Sequence, residues 1–228
     1  MSTQLHAPPV ARRPIVPAPR YRELRPGMEG FHLTSATVTV TLFDDVQRAR
    51  YEYECHLETT GGGAARWWCY HLPVGAEEVG DVRAWDARGK LQPWVHAEEG
   101  ARARLEVRLR EAVRAGERYT FWFGYESAIH PVVAGRGRKR TVTYSDWVIF
   151  NIPCALLQVH VELPCGAEPV MIRPACAEDE GTRVTYRIRA LRTLESVGFL
   201  VAYRRTQRRA PPAPILAAAS GYLGSGLG

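Results

Sequence analysis

Lysine is almost missing from this chain: of 30 basic residues among 228, only Lys90 and Lys139 are lysines and the rest are Arg. That bias reads as genome composition rather than as a phosphate-reading surface. Long apolar runs are missing too. None approaches the roughly 18 residues needed to cross a bilayer, so no integral membrane protein and no membrane partner is expected. The first residues, Met1 to His6 followed by a Pro/Arg-rich stretch, have no apolar core of the secretory kind, so a cytoplasmic location is expected. Cysteine is sparse, at five, and an odd number of thiols in a reducing compartment argues against a disulfide framework. Helical periodicity is nearly absent. So are His-Glu-x-x-His, the P-loop, Gly-x-Ser-x-Gly and the dinucleotide fingerprint, which removes the common routes to an enzyme. No cofactor and no metal is expected.

What is present is ordinary globular material, 46% hydrophobic, which excludes a chain disordered throughout. The length suits one large β domain or two small ones. The formal charge of +6 is unevenly spread. Residues 1–25 and 201–228 carry +4 each, leaving −2 on residues 26–200. The basicity therefore belongs to the ends and to one loop, Arg136, Arg138, Lys139 and Arg140, and not to a broad field suited to nucleic acid.

Period-two alternation fills the middle of the chain. Ala36–Leu42 alternates cleanly, Ala101–Arg110 places odd residues inward with Arg outward, and Tyr119–Tyr125 puts aromatics at odd positions. Val79–Trp85 and Leu91–His96 flank a Gly89 turn, and further strands are expected at 141–150, 156–163, 169–172, 184–190 and 197–203. A hairpin is expected between 47–60 and 65–72 about Gly62, pairing Glu58 with Arg66, Leu57 with Trp67, Cys55 with Cys69, and Tyr53 with His71. The fold class is all-β, an antiparallel sandwich of about a dozen strands, as one unit or as two packed β subdomains. The organisation reads as a Pro/Arg-rich flexible arm (1–30), a first β subdomain (31–130), a basic Gly-rich loop (131–140), a second β subdomain (141–205) and a Pro/Ala/Gly-rich tail (206–228).

Few residues suggest chemistry. Cys69 and His71 share a strand face, an arrangement that can lower a thiol pKa and yield a nucleophile; the alternative is a pair of structural core residues. Trp68 and Trp122 fall on the face opposite each strand's expected core column, with His56 beside Trp68. That face is either covered by the second β block or offered to a partner. The basic loop, Arg136 to Arg140, offers phosphate contacts or is a solvated connection. Beyond a proline spacer, Ile215, Leu216 and Tyr222 form a short apolar segment, a free tail or a docking peptide.

The run Leu105-Glu-Val107-Arg-Leu109-Arg-Glu-Ala-Val113-Arg-Ala-Gly116-Glu-Arg-Tyr119-Thr-Phe121-Trp-Phe123-Gly-Tyr125 resembles a strand–turn–strand element in the non-catalytic β domain of M1-type aminopeptidases. That resemblance implies a saddle-like β accessory module. The family's zinc helix has no counterpart here, so it implies no catalytic residue. Three functions follow for testing: an accessory module that binds a protein partner, using Trp68, Trp122, His56 and the tail; a nucleic-acid binder using the basic loop and the ends; and a thiol-dependent enzyme centred on Cys69 and His71.

Overall fold

The computed structural model describes residues 30–205 apart from 60–63, 73, 99–101, 136–139, 176 and 194. Fourteen strands form in this span: β1 (Phe31–Leu42), β2 (Arg48–Thr59), β3 (Ala65–Leu72), β4 (Val79–Asp86), β5 (Gly89–Glu98), β6 (Arg102–Val113), β7 (Arg118–Ala128), β8 (Val132–Ala134), β9 (Thr141–Ile149), β10 (Cys154–Glu162), β11 (Ala167–Arg173), β12 (Glu178–Asp179), β13 (Arg183–Leu191) and β14 (Ser196–Arg205). A single 3-10 turn at Ala76–Glu78 is the one helical element among the described residues.

Alternation explains the strands and their burial. Ala103, Leu105, Val107 and Leu109 of β6 point inward, as do Phe121, Phe123 and Tyr125 of β7 and Leu157, Val159 and Val161 of β10. In β1 the phase changes once. Phe31 and Leu33 are buried, then Ala36, Val38 and Val40, because a bulge between Leu33 and Ser35 inserts a residue and restores the inward face.

Two sheets result. The larger runs β12-β13-β10-β1-β2-β7-β4-β5-β6-β3, and the smaller runs β11-β14-β9-β8. The large sheet is mixed, because β1 and β10 pair in parallel, Val38 beside Val159. It also folds over itself at β5, whose residues 89–91 bond to β4 while 92–98 bond to β6. The β6–β3 end therefore lies across β2 and β7. Trp68 meets Phe121 at 5.3 Å between ring centres, and Tyr70 meets Tyr53 at 4.9 Å and Phe123 at 5.5 Å. The small sheet covers the other end, with Phe199 of β14 at 5.5 Å from Tyr186 of β13. Phe150, just past β9, touches both Trp68 and Tyr70 and joins the two parts of the covering layer. One continuous apolar core fills the space between layers.

The expected β2–β3 hairpin does not form, and its turn residues lie outside the described ones. Both edges of β2 are already taken, by β1 and by β7. Strand β3 crosses to the opposite layer and pairs with β6 instead. Cys55 consequently lies between Ala36 and Phe121, while Cys69 opposes Glu106. The inward face of β3 changes as well: Trp68, Tyr70 and Leu72 are the buried column, and Trp67 stands outside.

Candidate functional site

The residues first singled out scatter across the fold. Trp68 is fully enclosed between the layers, so it belongs to the core and offers nothing to a partner directly. Trp122 is half-buried on the outer face of β7 and stacks on Trp85 at 6.4 Å with the rings 9° apart. His56 stands opposite Thr120 rather than beside Trp68, hydrogen-bonded to the Thr120 hydroxyl at 3.0 Å and facing Glu54 at 3.2 Å. Arg140 is exposed. Arg136, Arg138, Lys139, Ile215, Leu216 and Tyr222, with the terminal arm and tail, lie outside the described residues.

Among the described cysteines, Cys55, Cys69 and Cys154 are buried and Cys165 is exposed. Cys69 is 3% exposed, and His71 on the same face hydrogen-bonds through Nδ1 to Glu98 at 3.2 Å. Burial lowers the His71 pKa, with Glu98 opposing it in part. Burial pushes the Cys55 thiol well up and takes Cys154 to about 11, so both stay protonated and weakly nucleophilic. No group of three or more His, Cys, Asp or Glu among the described residues is placed to hold a metal ion.

A different surface gathers chemistry: the outer face of β5-β6-β3. Here Trp67, Cys69 and His71 of β3 lie beside Arg108, Glu106 and Arg104 of β6, which lie beside Gln92, Trp94 and His96 of β5. Trp67 is 38% exposed, sits 5.2 Å from Trp94 and carries the Arg108 guanidinium 5.8 Å from its ring centre. Next to this aromatic pair runs a line of ion pairs, His96 to Glu106 at 3.3 Å, Glu106 to Arg104 at 3.1 Å and Arg104 to Glu98 at 3.2 Å.

At the Trp67 end of this face, β6 departs from regular pairing. Ala65 opposes Val113 but Trp67 opposes Arg108, so residues 109–112 bulge against the single residue Arg66. Asp86, at the end of β4, pins the bulge from the neighbouring strands. The Arg110 guanidinium forks onto both Asp86 oxygens at 3.1 Å, the Tyr119 hydroxyl donates to Oδ2 at 2.6 Å, and the Arg88 N–H donates to Oδ1 at 2.8 Å. Burial opposes ionisation of Asp86, yet these donors outweigh it and hold the carboxyl at about 2. Burial and the bond to Asp86 raise Tyr119 to about 12.

The bulge opens a groove of about 470 Å³ lined by Arg66, residues 108–112, Arg114 and Glu117. Arg110 is committed to Asp86, and Glu111 pairs with Arg88. The sequence pattern named Arg66 and Trp67 only as hairpin partners of Glu58 and Leu57, and gave Arg108 and Arg114 no role at a site. The signal was the Trp67-Trp68 dipeptide, since two consecutive large aromatics in a strand point to opposite faces and only one of them can join a single core column.

Exposed apolar side chains mark a second surface feature. Among the described residues the large ones are Trp67, Val132, Val133, Val170 and Met171. All five sit on strands that end a sheet, β3, β8 and β11.

A buried polar cluster, by contrast, serves the interior. The Tyr51 and Tyr144 hydroxyls donate to Asp146 Oδ2 at 2.6 and 2.7 Å, and the Trp147 N–H donates to Oδ1 at 2.7 Å. Burial raises the Asp146 pKa against these three donors. The cluster ties β2 of the large sheet to β9 of the small one.

No protein-family model and no curated protein matches this chain. Solved structures do. Yeast LTA4 hydrolase in complex with Bestatin aligns with a TM-score of 0.50 at 9% identity, covering 75% of this chain and 28% of that one. An M1 zinc metallopeptidase from Deinococcus radiodurans aligns at 0.46 and 12% identity, covering 77% of this chain and 43% of that one. The chain thus spans between a quarter and a half of the length of these structures. The resemblance to part of the M1-type peptidases, expected from Leu105–Tyr125, holds at the level of fold.

Proposed function

We propose that this chain is a non-catalytic β-sandwich module that binds a protein partner through the ends of its sheets. One observation carries the reading: every large exposed apolar side chain among the described residues lies on an edge strand. Sheet edges present unpaired backbone donors and acceptors, and soluble proteins ordinarily guard them with charge, proline or bulges. Here β8 carries Val132 and Val133 at 50% and 41% exposure, and β11 carries Val170 and Met171 at 45% and 39%. An incoming strand would satisfy the backbone and cover these side chains together. The burial of Cys69 supports the same reading over a Cys69-centred enzyme.

The test uses the full-length chain as bait, alongside V132E/V133E and V170E/M171E variants and a 1–205 form. The expected result is a stoichiometric partner recovered by the native chain and lost on at least one variant whose thermal unfolding is unchanged. Equal recovery by both variants would remove the edges from the mechanism. Equal recovery by the 1–205 form would remove the tail.

A further inference from the structure

The groove at the β6 bulge has more specific chemistry than the apolar edges. Three of the four arginines lining it, Arg66, Arg108 and Arg114, form no ion pair with a carboxylate among the described residues, whereas Arg110 is neutralised by Asp86. These guanidiniums are presented on a fixed frame. The Asp86–Tyr119–Arg110 network holds the bulge, and Trp67 supports Arg108 from below. A volume of about 470 Å³ accommodates a few residues or a small ligand. Strand β3, which borders the groove, is the last strand of the large sheet, so an extended chain can run alongside Arg66 and Trp67.

We propose that this groove binds an extended acidic segment, with carboxylates forked by Arg66, Arg108 and Arg114 and an apolar side chain against Trp67. The proposal rests on the partner-binding reading and names the chemistry of what the partner contributes. Charge complementarity argues for a short acidic peptide over a nucleic acid. A phosphate strand needs a continuous positive track and repeated stacking platforms. Residues 26–200 carry −2 overall, and Trp67 is the one tryptophan among the described residues that is substantially exposed. A few carboxylates require only the local cluster, and Arg binds them through paired N–H donors.

Fluorescence anisotropy with the full-length chain tests this, using three fluorescein-labelled probes: an octapeptide of alternating Glu and Ala, its Gln counterpart, and an eight-nucleotide oligothymidylate. The Glu peptide is expected to saturate in dilute buffer, to weaken as salt rises and to exceed the Gln peptide clearly. R66Q/R114Q, altered only at exposed side chains, is expected to lose about tenfold or more in affinity. The control R189Q/R192Q, on the far side of the fold, is expected to bind like the native chain. Equal affinity in R66Q/R114Q, or tighter binding of the oligothymidylate than of the Glu peptide, would overturn the assignment. Because the partner-capture assay alters β8 and β11 and leaves the groove intact, a failed groove with edge-dependent capture would sink this inference and leave the function proposed above in place.

Discussion

Asp86 shows how one side chain fixes a surface it does not itself display. It is 7% exposed, accepts four hydrogen bonds and joins the end of β4 to β6 and β7. Its folded pKa of about 2 lies below the ordinary 3.8. A carboxyl depressed in this way binds its proton less readily in the folded than in the unfolded chain. Its contribution is therefore complete above pH 3.8 and is lost as pH falls through about 2. The shift corresponds to roughly 2 kcal/mol at about 1.4 kcal/mol per unit. D86N is thus expected to be less stable than the native chain by about 2 kcal/mol at neutral pH, with the gap closing toward pH 2. Urea unfolding at pH 7, 4 and 2.5 checks this, and a gap independent of pH would show that charge is not the cause. Alternation made the turn after Asp86 visible in the sequence, through Gly89, but not the anchor. Arg110 lies 24 positions away and Tyr119 lies 33 away, and nothing local ties them together. For the same reason the groove arginines looked like any other outward Arg of an alternating strand, until a bulge set four of them around one opening.

At the scale of the strand, local pattern located elements better than it joined them. The runs in β6, β7 and β10 are buried at the positions alternation predicts, because one face of each is plainly more apolar than the other. Strand β3 has large apolar residues on both faces, Trp67 and Cys69 against Trp68, Tyr70 and Leu72, so its inward face depends on which layer it joins. A Gly-rich link after β2 reads as a tight hairpin, yet β1 and β7 compete for the same two edges and win, so β3 must leave the layer. The β2–β7–β4 ladder has its own tight point at Gly124. It sits opposite Glu52, and Arg83 of β4 reaches Glu52 at 3.0 Å. A Cβ at Gly124 would stand 2.8 Å from the Tyr51 carbonyl oxygen, so the backbones must separate to admit one. G124A is expected to cost about 1–3 kcal/mol, the range for overpacking a tight site. Thermal unfolding checks the loss, and an unchanged midpoint would mean the ladder can yield there freely.

The whole molecule is held together by pairings between distant parts of the chain. Strand β1 completes its ladder only with β10, and Thr41 hydrogen-bonds Glu162 across 121 positions. Tyr51 of β2 is capped by Tyr144 and Asp146 of β9, while Trp68 and Tyr70 of β3 pack on Phe150. The loss of residues 141–205 would therefore strip β1 of a neighbour, expose the inward faces of β1 and β2, and leave the Tyr51 hydroxyl without its acceptor. A fragment ending at residue 135 is accordingly expected not to fold alone. In the full chain, tryptophan fluorescence, which reports on all six tryptophans with Trp68 among them, and far-ultraviolet circular dichroism, which reports on all strands, should lose native signal in one coincident transition. A fragment that unfolds cooperatively by itself, or two separated transitions in the full chain, would show that the shared core is divisible. The long span between β1 and β10 also places this topology among those dominated by non-local contacts, for which loop closure precedes any return in pairing. Sequence periodicity cannot display such a contact, because each of the two strands alternates acceptably on its own; what couples them is the single core that neither half can enclose without the other.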